Sequence, residues 1–127
     1  MLLFDTSAII ELIKGNSKLE KYLDEPVVVS TITIHELYYG ANNSKNFDQN
    51  MHSVRQTLEN VGYVEVKNNI AIIAAQIRAK LAKKGKEKAL ADILIAATAV
   101  DEELELITFD RDFEEIAKNS ELRVKIL

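Results

Sequence analysis

The stretch Met1-Leu2-Leu3-Phe4-Asp5-Thr6-Ser7-Ala8-Ile9-Ile10 joins a short apolar segment to a helical pattern, with an aspartate at the junction. Residues 2–4 predict a buried strand, and residues 7–14 place apolar side chains at helical spacing. Asp5 is the only charged side chain between positions 1 and 10. A strand followed directly by a helix is the unit from which α/β folds are built.

The same alternation continues along the chain. Strands are predicted at 2–4, 27–29, 64–66, 106–108 and 124–126, and helices at 7–14, 31–41, 48–60, 69–84, 89–103 and 112–119. Strands that alternate with helices predict an α/β fold with a central, mainly parallel sheet and helices on both faces. In such sheets the functional crevice lies beyond the carboxyl ends of the strands.

Size and composition limit the possible classes of protein. A chain of 127 residues predicts a single domain, 1–127. The absence of cysteine excludes disulfides and thiolate metal sites, and two histidines disfavour a histidine-based zinc site. No glycine-rich turn follows the first strand, which argues against dinucleotide binding. The apolar start is too short for a signal peptide and no apolar run reaches membrane-spanning length, so we expect a soluble, cytoplasmic protein.

Charge is unevenly distributed. A net charge of −4 argues weakly against nucleic-acid binding, yet one short stretch is strongly basic. It contains Arg78, Lys80, Lys83, Lys84, Lys86 and Lys88, of which the first four are the candidate RNA-binding residues. This stretch has two interpretations: the solvated end of a helix, or a surface that binds RNA phosphates beside an acidic site.

Three segments each contain one carboxylate in apolar surroundings. Asp5 is the only charged side chain in 1–10, Glu36 in 27–40 with His35 taken as neutral, and Asp92 in 89–100. A buried carboxylate is costly unless it is paired or binds a cation, and none of these segments contains a lysine or arginine. We therefore predict that a cation from outside the chain neutralises them.

Asp110 is a fourth candidate, because it follows a predicted strand as Asp5 does. Carboxylate oxygens are hard ligands that suit Mg²⁺ or Mn²⁺. Each acid also has a structural explanation. Asp5, Asp92 and Asp110 stand near helix starts and are plausible N-caps, whereas Glu36 would need a lysine from elsewhere in the fold.

Four segments carry a family resemblance. They are Leu3-Phe4-Asp5-Thr6-Ser7, Thr33-Ile34-His35-Glu36-Leu37-Tyr38-Tyr39-Gly40, Ala91-Asp92-Ile93-Leu94-Ile95-Ala96-Ala97-Thr98-Ala99 and Thr108-Phe109-Asp110-Arg111-Asp112-Phe113. In order and spacing they resemble the acidic motifs of the PIN-domain family, and specifically its VapC-type toxins of toxin–antitoxin pairs. The third segment is the most specific, and the resemblance extends over the whole chain.

The resemblance implies a three-layer α/β/α sandwich and an endoribonuclease that depends on Mg²⁺ or Mn²⁺. It implies that the catalytic and metal-binding acids are Asp5, Glu36, Asp92 and Asp110. Because Asp112 stands where relatives often carry another polar residue, which of Asp110 and Asp112 lies nearer the metal stays open. The family also implies an RNA substrate, a homodimer and a cognate antitoxin protein.

The hypothetical mechanism is metal-assisted hydrolysis of an RNA phosphodiester, in which Glu36 ligates a metal or orients the attacking water. Thr6, Ser7 and Thr108 would hold water around the ion or hydrogen-bond the carboxylates, unless they only cap helices. Tyr38 and Tyr39 could stack on bases, although a tyrosine on a mostly apolar helix more often packs against the core. The rival hypothesis is a non-catalytic PIN-fold module that binds RNA or protein.

Overall fold

The computed structural model describes residues 1–127 and contains one five-stranded sheet. The strands are β1 (Leu2–Phe4), β2 (Val27–Ser30), β3 (Gly62–Val64), β4 (Glu105–Thr108) and β5 (Val124–Ile126). The helices are α1 (Thr6–Ile13), α2 (Thr31–Asn42), α3 (Phe47–Leu58), α4 (Asn68–Lys83), α5 (Leu90–Asp101) and α6 (Asp112–Lys118), with a 3-10 helix at Ser17–Tyr22. The strand order is β3-β2-β1-β4-β5 and every neighbouring pair is parallel. None of the helices combines the length and the apolar composition that crossing a membrane requires.

Successive side chains of a strand point to opposite faces of the sheet, and in this protein both faces are buried. In β1, Leu3 packs into an apolar cluster with α4, α5 and α6, whereas Leu2 and Phe4 pack into a second cluster with α1, α2 and α3. In β4, Leu106 and Ile107 divide in the same way. Helices therefore cover the sheet on both sides, and the predicted three-layer α/β/α fold is confirmed.

The predicted position of the third strand was wrong. Pairing with β2 occurs at Gly62–Val64 rather than at 64–66, with Val28 opposite Gly62. A Cβ on Gly62 would lie 3.1 Å from the Cγ1 atom of Val28, so glycine allows the close approach of this edge strand. Val66 still packs against the core from outside the strand. The apolar alternation at 64–66 therefore marked burial, while the position of β2 decided the pairing.

The end of α5 places a side chain in an unfavourable backbone conformation. Leu104 N donates to Ala99 O at 2.9 Å and Glu103 N donates to Val100 O at 3.2 Å, which is a Schellman motif. Glu103 occupies the position where glycine is preferred, with a φ of 56°. We expect Glu103→Gly to raise the free energy of unfolding by about 0.5–1 kcal/mol, because glycine adopts this conformation without a steric penalty. Urea denaturation would measure it, and an equal loss of stability would show that side-chain contacts of Glu103 dominate.

Candidate metal centre

The direction in which the chain adds strands reverses at the central strand, β1. The chain runs outward from β1 to β2 and β3, and then returns to place β4 on the other side of β1. Asp5 lies directly beyond β1, where its N–H donates to Ile107 O at 3.2 Å, and Asp110 lies two residues beyond the end of β4. Ligand sites of parallel sheets occur in the crevice at this kind of reversal.

Asp5 is almost fully buried, with 3% of its surface exposed, and its carboxylate is held by three donors. Ala8 N donates to Oδ1 at 2.9 Å, so Asp5 does cap α1. The Ser7 hydroxyl donates to Oδ1 at 2.7 Å, and the Thr108 hydroxyl donates to Oδ2 at 2.6 Å. Burial raises the pKa of Asp5 above its ordinary value, and these hydrogen bonds oppose the rise. The capping interpretation and the metal-site prediction are therefore compatible for this residue.

Two hydroxyl groups connect Asp5 to the segment after β4. The Thr108 hydroxyl accepts from Asp110 N at 2.9 Å while it donates to Asp5. The Ser7 hydroxyl accepts from Phe109 N at 3.0 Å and lies 3.2 Å from the Thr108 hydroxyl. A network of this kind fixes the carboxylate of Asp5 relative to the backbone that carries Asp110.

Asp92 has no such support. The N-cap of α5 is Ala89, so the predicted capping explanation for Asp92 does not hold. Its half-buried carboxylate has no hydrogen-bond donor and no basic neighbour among the influences on its pKa. Burial first, and then the charges of Asp110, Glu36 and Asp5, raise the pKa of Asp92 to about 6. A half-buried acid that lies close to several other acids and forms no ion pair of its own is an arrangement expected where a cation binds.

Three carboxylates lie close enough to share one ion. Oxygen atoms of Asp92, Asp110 and Asp112 all lie within 4.8 Å of one another. Asp110 also accepts from Asp112 N at 2.9 Å, which holds its carboxylate at the start of α6. Asp5 and Glu36 are outside this group of three, but both act electrostatically on Asp92.

Glu36 approaches the same crevice from α2. The Thr6 hydroxyl donates to Glu36 Oε1 at 2.5 Å, and it also contacts the buried hydroxyl of Thr33 at 3.1 Å. No lysine or arginine forms an ion pair with Glu36, so its predicted structural explanation does not hold.

The only basic side chain paired with this cluster is Lys88, whose Nζ atom lies 3.4 Å from Asp112 Oδ1. Asp112 is also the most exposed of the three grouped acids. The four sequence-predicted acids have no such partner. A set of carboxylates without neutralising cations fits a hard divalent ion, and the roles of Asp5, Glu36, Asp92 and Asp110 as ligands stay predictions.

The basic stretch is not brought to the acids as one surface. Lys80 and Lys84 line one cleft together with Lys118, whereas Arg78 lines a different cleft among alanines. Neither cleft includes an acid of the site. Residues two apart on a helix point in nearly opposite directions, which separates Arg78 from Lys80. The predicted phosphate-binding role of Arg78, Lys80, Lys83 and Lys84 stays untested.

Sequence reasoning gave too little weight to Lys88 and to Thr33. Lys88 precedes Asp92 by four residues in the loop before α5, a position that could have indicated proximity to the acids. Thr33 is fully buried beside Thr6, and nothing in its local sequence indicates that contact.

The PIN-domain family model matches residues 2–119. The chain belongs to the PIN-domain family. The resemblance stated from four motifs is therefore confirmed. Ribonuclease VapC2 of Haemophilus influenzae, a similar protein, is 36% identical over 89 residues, which is 69% of this chain and 67% of that protein. The tRNA(fMet)-specific endonuclease VapC of Salmonella typhimurium is 35% identical over 89 residues, again 69% of this chain and 67% of that protein.

Solved structures of PIN-domain proteins have the same fold over nearly the whole chain. A chain of the DNA-bound VapBC complex from Salmonella typhimurium superposes with a TM-score of 0.88 at 30% identity, covering 98% of both chains. A chain of FitAcB from Neisseria gonorrhoeae superposes with a TM-score of 0.81 at 31% identity, covering 98% of this chain and 96% of that one. The structural likeness covers 98% of the chain, whereas the pairwise sequence matches cover 69% of it.

Proposed function

We propose that this protein is a VapC-type toxin, an endoribonuclease that hydrolyses RNA phosphodiester bonds with the help of Mg²⁺ or Mn²⁺. The observation that carries the proposal is the cluster of Asp92, Asp110 and Asp112, whose oxygen atoms lie within 4.8 Å of one another. Within it, Asp92 is half-buried, forms no ion pair and has a raised pKa. Acids that lie together without a compensating positive charge destabilise the fold, so such a cluster is expected where a bound cation supplies that charge. Membership of the PIN-domain family supports nuclease activity as the function of this acid cluster.

Asp92, Asp110 and Asp5 would hold the divalent ion. When bound, the ion neutralises charge that accumulates on the phosphate and increases the acidity of nearby water. The network of Ser7 and Thr108 keeps Asp5 in one orientation, so that little reorganisation is needed when the substrate arrives.

Glu36 would orient the attacking water. The hydrogen bond from Thr6 fixes one carboxylate oxygen of Glu36 and leaves the other free to accept a proton from water. The water oxygen would then bond to phosphorus as one P–O ester bond breaks. The leaving oxygen would take up a proton from solvent, and Glu36 would return its own proton to solvent. Hydrolysis needs no further co-reactant.

The partners proposed are a cognate antitoxin protein and a second copy of this chain. Support for the antitoxin comes from similar solved chains that belong to VapBC complexes, among them a DNA-bound complex. The cytoplasm, where cellular RNA would be available as the substrate, is the location proposed for this activity.

The test is cleavage of total cellular RNA by the purified protein with Mg²⁺, with Mn²⁺ and with EDTA. We expect defined fragments with at least one ion, complete loss of cleavage in EDTA, and recovery when the ion is restored in excess, because the acids repel RNA until a cation neutralises them. Asp92→Asn protein purified in the same way controls for contaminating nucleases. A folded protein that binds RNA or a partner but cleaves nothing with either ion would instead support the non-catalytic module.

A further inference from the structure

An exposed pair of aromatic rings stands beside the candidate metal centre. Tyr39 and His35 lie on successive turns of α2, with ring centroids 6.4 Å apart and planes inclined by only 15°. Glu36 lies next to His35 in the chain, and its side chain lines the same cleft as the two rings. This cleft has a volume of about 550 Å³ and also includes Thr6, the residue that holds Glu36.

The rings do not contribute to the core. Tyr38 packs against the apolar cluster on one face of the sheet, whereas Tyr39 is 64% exposed and His35 is also exposed. An aromatic ring that stays in water gives up the free energy of burial, so its exposed face is available to a ligand. Leu90, which is 51% exposed, continues this uncovered apolar surface on the other side of the cleft.

The chemistry of the cleft favours a neutral, flat ligand. None of its lining residues is a lysine or an arginine, and Glu36 would repel a phosphate at this position. A nucleobase has the required properties, since every base offers a π-face, and aromatic side chains are the usual surfaces on which unpaired bases stack.

We propose that Tyr39, backed by His35, forms a stacking platform for one unpaired nucleobase next to the phosphodiester that is cleaved. This inference rests on the proposed function, since it presupposes an RNA substrate and adds that the base beside the cleaved bond is unpaired. The platform would position the strand relative to Glu36 and the acids. Tyr39 acts here as a positioning residue, and duplex RNA, whose bases are already stacked, would not engage it.

Binding measurements can test the platform without cleavage. Fluorescence anisotropy would follow a labelled, random-sequence, single-stranded RNA 12-mer on Asp92→Asn protein in Mg²⁺, with a duplex of equal length for comparison. We expect Tyr39→Leu to raise the Kd for the single strand by about 5- to 100-fold. Tyr39→Phe, which keeps the ring, should restore the affinity. Tyr63→Leu is the matched control, because Tyr63 is 60% exposed but lies outside this cleft.

Kinetics of the active protein separate this inference from the proposed function. In protein that keeps Asp92, Tyr39→Leu should raise the KM for single-stranded RNA far more than it lowers kcat. If wild-type protein cleaves RNA and Tyr39→Leu protein has the same KM and Kd, the platform is refuted and the nuclease stands. If Tyr39→Leu changed the oligomeric mass of the protein but left its RNA affinity unchanged, the platform would also be refuted, because the rings would then contact protein rather than RNA. Failure of wild-type protein to cleave RNA refutes the proposed function directly.

Discussion

Asp92→Asn is expected to lower kcat/KM for RNA cleavage by about a thousandfold or more. The electrostatic stabilisation that a divalent ion gives to a phosphoryl transition state amounts to several kcal/mol, and asparagine would remove one of the proposed charged ligands from the acid cluster. Single-turnover cleavage of a labelled RNA with and without Mn²⁺ would measure the effect.

The same substitution is expected to stabilise the protein when no divalent ion is present. In the unfolded chain Asp92 ionises near its ordinary pKa of 3.8, whereas in the folded protein its pKa is about 6. Below about pH 4 both states are protonated and the penalty is absent; it grows as the pH rises and is complete above about pH 6. At pH 7.5 Asp92→Asn should therefore be more stable than wild type by about 1 kcal/mol, a value that allows for solvent screening of a half-buried side chain.

Divalent ions should reverse that order. Mn²⁺ at about 100 times its Kd stabilises a protein that binds it by about 2.7 kcal/mol, so wild type should gain several degrees in Tm while Asp92→Asn gains little. Asp112→Asn is the matched comparison. Asp112 is largely exposed and paired with Lys88, so we expect a much smaller loss of activity. Equal losses in the two variants would make Asp112 a ligand, and full activity of Asp92→Asn would refute the metal centre.

Thr108→Val is expected to destabilise the protein by about 3 kcal/mol and to reduce cleavage by about 10- to 100-fold. The fully buried hydroxyl donates to Asp5 and accepts from Asp110 N, so valine removes one of the three donors of a buried carboxylate and leaves the Asp110 N–H without its acceptor. The loss of activity follows because the hydrogen bonds that orient a metal ligand typically contribute this much to affinity or rate. Urea denaturation and single-turnover kinetics would measure the two effects.

Thr98→Val supplies the control for this substitution. Thr98 is also fully buried, but its hydroxyl donates only to the carbonyl of Leu94 one turn earlier in α5. We expect a change below about 1 kcal/mol there, and we expect Thr108→Ser to retain most of the stability and activity. If Thr108→Val and Thr98→Val unfolded at the same urea concentration, the Asp5 network would have no energetic importance.

The fold and most of the candidate site could be predicted because their signals are local. Alternating strands and helices imply a parallel sheet, and Asp5, Glu36 and Asp92 each attract attention as the one charge in an apolar segment. The third strand was misplaced by two residues, because edge pairing depends on the close approach of Gly62 to Val28. Helix geometry places Lys80 and Lys84 at one cleft and Arg78 at another, and the phosphate-binding interpretation of the basic stretch stays a prediction.

Local pattern predicted four of the five strands to within one residue, and it drew attention to the acids that lack a local counter-charge, from which a cation site is predicted. It could not decide between Asp110 and Asp112, which both follow β4, nor show that Lys88 neutralises the latter. It also could not distinguish Tyr38 from Tyr39, one packed against the core and the other open to the cleft. The reason is physical: periodicity reports which side chains are buried, whereas distances between charges and rings on separate elements depend on how those elements pack.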